Sequence, residues 1–243
     1  MTMRILLAGA AIVVAAVVLA SAGWWLLVRE DAGLATTVPE IPQELIEATA
    51  TTAASAEQST AEPAVLTFRV NPELSEAAYF VNEELASIGL PSTAKGSTSE
   101  VTGEFYLAGD GDELAPVAAS QFSVDLRNLM SDEMRRDNRV QEALQTATYP
   151  SATFTVSSVS GYDPAIPEGE EQSLQLTGTL DLHGVQREVT WDVKARREGN
   201  VISALATLTV AFSDSGITPP TFAQLVSIDD EATLQIQLIA EHI

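Results

Sequence analysis

The sequence predicts an all-β domain, an antiparallel barrel or sandwich of roughly eight strands with one short helix, carried behind an N-terminal apolar helix. Three observations carry that expectation. Apolar and polar residues alternate over many short runs from Val65 onward, the pattern of strands with one dry face. A helical period is confined to 131–147 and a short run around 83–88. Ile5 to Val28 carries no charged residue and is flanked by Arg4 and Arg29.

The N-terminal run is long enough to cross a bilayer, at roughly 36 Å of helix. Trp24 and Trp25 sit near one end, where aromatic belts form. A cleaved signal peptide is the rival, because Ala20-Ser21-Ala22 fits a small-residue cleavage site. The apolar run continues past that site through WWLLV, which favours an uncleaved anchor over residues 1–30. Both readings place the remainder outside the cytoplasm, either as a single-pass cell-membrane protein or as a secreted or periplasmic one cut near Ala22.

Residues 31–63 are rich in Ala, Thr, Glu, Ser and Pro and contain no aromatic residue. Such a segment buries too little apolar surface to order itself, so a flexible acidic tether is expected there. The barrel is expected over 64–243.

Within the barrel, Leu66, Phe68 and Val70 share a face, as do Val101, Gly103, Phe105 and Leu107. Phe122 and Val124, then Phe154 and Val156, repeat the pattern. Ile202 to Phe212 and Leu234 to Ala240 give two longer rows. One hairpin can be registered on paper. With His183-Gly184 as a two-residue turn, Leu182 faces Val185, Leu180 faces Arg187, Gly178 faces Val189 and Leu176 faces Trp191. One face is then apolar except for Arg187 and the other is polar throughout, so a slip of one residue would scramble both.

Composition narrows the function. The chain has 34 acidic and 12 basic residues, a net charge of −22, which nucleic-acid phosphates repel. It has no cysteine, hence no disulfide and no thiolate metal site, and two histidines leave little for imidazole ligation. No cofactor is implied. GDGDE at 109–113 lacks the spacing of a calcium loop and reads as an acidic hairpin turn. Asp181 and His183 could form an acid–base pair on one strand, but not if His183 lies in the turn. TPPTF at 218–222 reads as an irregular loop edging the barrel mouth.

Three arginines, Arg135, Arg136 and Arg139, open the helical run. Ser131 is a good N-cap, and Met130, Met134, Val140, Leu144 and Ala147 form the stripe expected to be buried. Arg136 lies at its edge and Asp137 in its middle. A carboxylate there needs partners, and no second acid or His on the stripe supports catalysis. Asp137 is therefore expected to be a structural anchor.

Four stretches in order resemble the YceI-like family of bacterial exported proteins. They are VTGEF at 101–105, RRDNRVQEALQTATYPSATF at 135–154, TGTLDLHGVQREVTWDV at 177–193, and FSDSGITPP with the closing strand. Ser215 stands where the family pattern leads one to expect Phe. The resemblance covers about 64–243. It implies a lipocalin-like barrel whose apolar lumen holds a polyisoprenoid or another long-chain amphiphile, with no catalytic set. The dry face then nominates Phe68, Phe105, Phe122, Phe154, Leu176, Gly178, Val189, Trp191, Leu208 and Ile236 as lipid-lining residues. The expected partners are an apolar lipid and, through the N-terminal helix, a membrane; the oligomeric state is left open. Two rivals stand beside this reading: a packed structural or adhesion module, and a lipid-acting hydrolase.

Overall fold

The computed structural model describes residues 33–46, 65–85, 91–108, 113–114, 119–220 and 225–243. The predicted anchor over 1–30 lies outside them. Among the described residues no helix is long and apolar enough to cross a membrane. The chain divides into two compact units, Met1–Gly33 and Leu34–Ile243, and the second contains the barrel.

Among the described residues, eleven strands occur in it: β1 (Leu66–Val70), β2 (Glu76–Leu85), β3 (Pro91–Thr98), β4 (Val101–Ala108), β5 (Glu113–Leu114), β6 (Gln121–Asp125), β7 (Ser151–Ser160), β8 (Gln172–Leu182), β9 (Val185–Glu198), β10 (Val201–Ala211) and β11 (Leu225–His242). An α-helix, α1 (Met134–Leu144), falls between β6 and β7. The run around 83–88 is not helical over Glu83 and Glu84, which belong to β2. There burial has the period of a strand: Val81 and Glu83 are buried on either side of exposed Asn82.

The strands make eight staves. β1 and β2 both pair antiparallel with β11 and are separated by a single turn at Pro72–Leu74. Proline removes a ladder donor at that point, which breaks one long stave in two. β3 and β4 form a second broken stave, pairing with β2 and β1 respectively. The ladder then runs β4-β6-β7-β8-β9-β10-β11, and β1 pairs with both β4 and β11, so the ring closes. Closure removes most of the sheet edges that would otherwise invite strand addition, although β3 pairs only with β2 apart from one bridge to Met130.

The β8–β9 hairpin has the predicted register, from Leu182 opposite Val185 to Leu174 opposite Val193. His183 and Gly184 take φ of 57° and 74°, the two positive values that a two-residue hairpin turn of this twist requires.

Residues 34–46 differ from the expected tether. They lie along the outer face of β9, β10 and β11. Ile41, 7% exposed, packs with Val201 and Ile239. The Ser203 hydroxyl donates to the Pro39 carbonyl at 2.6 Å, and Lys194 Nζ to that of Thr36 at 2.8 Å. Gln235 exchanges two hydrogen bonds with the Ala35 backbone. The reason lies in β10, which is apolar on both faces. Its outer residues Val201 and Leu205 need a cover that the barrel itself does not provide.

Candidate functional site

The lumen is built from one residue in two of each stave, and it holds two chambers. The larger has a volume of about 730 Å³, within the usual range for ligand pockets. The smaller is about 160 Å³. Phe122, Phe154, Trp191 and Ile236 line both and form a waist between them.

The waist is a product of register. Phe122 on β6 lies opposite Phe154 on β7. Phe154 meets Trp191 edge-on with ring centres 6.0 Å apart, and Phe105 stacks on Phe122 at 6.3 Å. Two glycines let these rings lie back against the wall. A Cβ on Gly103 would stand 2.7 Å from the Phe122 ring, and one on Gly178 would stand 2.9 Å from the Phe154 ring and meet the Thr155 carbonyl oxygen. Aromatic rings laid over strand glycines recover the contacts a glycine lacks.

Seven of the ten nominated residues face these chambers: Phe68, Phe105, Phe122, Phe154, Leu176, Trp191 and Ile236. Gly178 is buried but supports Phe154 rather than offering empty space, so a larger side chain there would strain the sheet instead of filling the lumen. Val189 and Leu208 line a separate cleft of about 180 Å³ between β9 and β10. Among the alanines lining the chambers are Ala204 and Ala206 in the larger and Ala143 and Ala152 in the smaller.

The larger chamber opens beneath the 161–171 loop, where Tyr162, Glu168 and Arg197 stand. The Arg197 guanidinium lies 5.5 Å from the Phe68 ring centre, a cation–π contact. The smaller chamber is capped by α1, which turns Arg136, Val140, Ala143 and Leu144 inward.

This face of α1 matches the predicted stripe only in part: Val140 and Leu144 do turn inward. Met130 and Met134 are 67% and 78% exposed, and Ala147 is exposed as well. The helix is turned so that Arg136 points in. Its guanidinium, 12% exposed, pairs at 3.0 Å with Glu83 of β2, 4% exposed, and also with Asp132. Burial alone would lower the pKa of Arg136, but the two carboxylates more than offset this and raise it. Beside the pair, burial pushes the Tyr79 phenol up to about 12, with Arg136 opposing. Local sequence could not reveal the pairing, because Glu83 lies on a distant strand.

Asp137 behaves as an anchor, though for the turn before the helix. It accepts from the Ser131 amide at 2.7 Å and from its hydroxyl at 2.6 Å. Met130 next to it bridges to Ser97 on β3, which fixes the helix entry to the barrel. The N-cap position is Glu133, not Ser131.

Asp181 and His183 do not come together as an acid–base pair. Asp181 accepts from Gln186, and His183 Nδ1 donates to the Ser215 carbonyl at 3.0 Å from within the turn. Among the described residues no group of three or more His, Asp or Glu side chains is placed to hold a metal. Pro220, within the TPPTF segment, lines the smaller chamber; residues 221–224 lie outside the described ones.

The barrel is similar to a solved polyisoprenoid binding domain from Saccharophagus degradans, with TM-score 0.58 and 20% identity over 73% of this chain and 99% of that one. It is also similar to Burkholderia cenocepacia BcnA, with TM-score 0.54 and 18% identity over 70% and 98%. At these identities the likeness shows the fold alone. Among curated proteins, Protein YceI of Escherichia coli O157:H7 is 32% identical over 124 residues, 50% of this chain. The match spans 58% of the relative's length. The profile of the YceI-like domain matches residues 68–240, nearly the whole closed ring, and the chain belongs to the YceI-like family.

Proposed function

We propose that the barrel holds a polyisoprenoid or another long-chain apolar amphiphile in its lumen, as a non-enzymatic binding protein outside the cytoplasm. The observation that carries this reading is the pair of chambers in series, lined chiefly by apolar side chains and meeting at an aromatic waist. Burial of an apolar chain there is favourable by roughly 25 cal/mol per Å². The name of the Saccharophagus neighbour supports the same ligand class. A packed module has no use for a chamber of about 730 Å³. A hydrolase would need an acid–base pair that Asp181 and His183 do not supply. In this reading residues 1–30 anchor the protein in the cell membrane and its acidic charge keeps the barrel off anionic headgroups; N-terminal sequencing of the mature protein distinguishes the anchor from cleavage near Ala22.

The test is lumen filling. Ala206→Phe places a ring in the larger chamber without touching the waist glycines. Mass spectrometry of organic extracts from the purified wild type is expected to find a long-chain lipid. Titration with a fluorescent polyene lipid is expected to saturate in the wild type and to weaken by an order of magnitude or more in Ala206→Phe, because overpacking of roughly 1–3 kcal/mol opposes the bound state. Equal binding by a folded Ala206→Phe protein, with no lipid in the wild-type extract, would refute the lumen reading.

A further inference from the structure

The ring closes along its whole circumference but not along its whole height. β9 and β10 pair from Glu198 with Val201 as far as Asp192 with Thr207, and there the ladder stops. Both strands continue. β9 runs back to Val185 on the ladder of β8, and β10 runs on to Ala211 on the ladder of β11. Over 185–191 and 208–211 the two staves therefore stand side by side without bonding. The gap reaches from mid-wall to the barrel end at the 183–184 turn, and the unpaired backbone there is an edge that a closed barrel otherwise lacks.

The seam so formed is apolar toward the lumen, while Arg187, Thr190, Thr209, Asp214 and Ser215 also line it. Leu180, Leu182, Val189, Leu208 and Val210 line its cleft of about 180 Å³. Leu180, Leu182 and Val210 also line the smaller chamber, so cleft and chamber share a wall. The turn at Ser213–Ser215 lies across the seam. Ser213 ties it to Asp230 on β11. Asp214 pairs with Arg187 of β9, and the Ser215 carbonyl accepts from His183. Arg187 and Asp214 are 43% and 49% exposed, so their pair is a weak fastening.

We propose that this seam is a lateral portal through which an apolar lipid chain enters the lumen sideways, with the Arg187–Asp214 pair as its latch. The portal rests on the lipid-binding function proposed for the barrel. It accounts for two facts that lipid binding alone leaves over: Val189 and Leu208 lie on the dry face yet outside the main chambers, and Arg187 is the single charge on the apolar face of the β8–β9 hairpin. A chain that slides in from the side stays in contact with apolar surface throughout, whereas entry end-on passes the charged rim beneath the 161–171 loop.

The chain has no cysteine, which makes a clean test available. Thr190 and Thr209 are exposed, point outward, and would stand opposite each other if the ladder continued beyond Asp192 and Thr207. Thr190→Cys/Thr209→Cys can be bridged with a short reducible bis-thiol linker that staples the seam and leaves the lumen free. Parinaric acid is loaded, and its transfer to acceptor phosphatidylcholine vesicles is followed by fluorescence. Stapling is expected to slow uptake and release by about an order of magnitude, as for other gated sites, with the saturating amount unchanged and the rate restored on reduction. Asp214→Ala, which removes the latch, is expected to speed release. Unchanged rates in the stapled protein would overturn the portal and assign entry to the 161–171 end. A fall in saturating amount with unchanged rate would equally overturn it, by showing that the staple acts on the lumen. Failure of the unstapled protein to take up parinaric acid at all would remove the lipid-binding reading and the portal together.

Discussion

Replacing Arg136 with methionine tests how α1 is held over the smaller chamber. The substitution keeps most of the aliphatic stem and removes the charge. Glu83, 4% exposed, is left without the guanidinium that pairs with it at 3.0 Å. An uncompensated buried carboxylate costs about 3–5 kcal/mol. For a domain of this size each kcal/mol moves the melting temperature by about 2–4 °C, so the expected fall is roughly 6–20 °C. Asp132, the other partner, is 79% exposed, and Asp132→Asn should cost less than about 1 kcal/mol. Glu83→Leu combined with Arg136→Met removes both charges and should recover most of the loss, since replacing a buried pair by apolar groups is often neutral. Urea and thermal unfolding followed by circular dichroism measure these proteins, and the wild type, Arg136→Met, Glu83→Leu and the double variant make a double-mutant cycle. If Arg136→Met costs no more than Asp132→Asn, Glu83 does not depend on Arg136 and the argument is wrong.

Two further outcomes are expected. A chain starting at residue 64 should be less stable to urea than one starting at 34 by about 2–3 kcal/mol, since it loses the buried Ile41 and uncovers Val201 and Ile239; equal stability would show that the segment is not seated. Tyr79, whose folded pKa of about 12 lies above the ordinary 10, contributes stability that is complete below pH 10 and is lost as pH rises towards 12, so the alkaline limb of wild-type unfolding should carry about 2 kcal/mol that Tyr79→Phe lacks. Superimposable pH profiles for the two proteins would contradict this.

What could be read from the sequence was what repeats locally. Alternation over Leu174–Val193 carried the β8–β9 register because the turn and both faces are specified within one short stretch. The same period picked out Phe122, Phe154 and Trp191. The rotation of the helix is not legible because an inward arginine looks like a surface charge until its partner is known, and Glu83 reaches it from β2. The seating of residues 34–46 is not legible because much of what they offer the barrel is backbone carbonyl, at Ala35, Thr36 and Pro39, which no composition reveals. Their seat was visible, had both faces of β10 been weighed: Val201 and Leu205 alternate with Ile202, Ala204 and Ala206. Gly178 showed as a small residue in a dry row, but the sequence does not say whether a glycine marks a void or the underside of a ring.

The pairing of β1 with the end of β11 sets the order of assembly. Phe68 lies opposite both Phe105 and His242, so the ring is joined between strands at opposite ends of the barrel sequence. Pairings of such large sequence separation form slowly, because the entropy of closing the intervening chain is spent before the contacts return it. Until β11 has been made, β1 and β10 each present an open edge, and β10 presents apolar side chains on both sides. A chain stalled at that stage is an aggregation-prone intermediate. Residues 34–46, made before any strand, are by then ready to cover one of those sides, which gives the segment a part in folding as well as in the finished barrel.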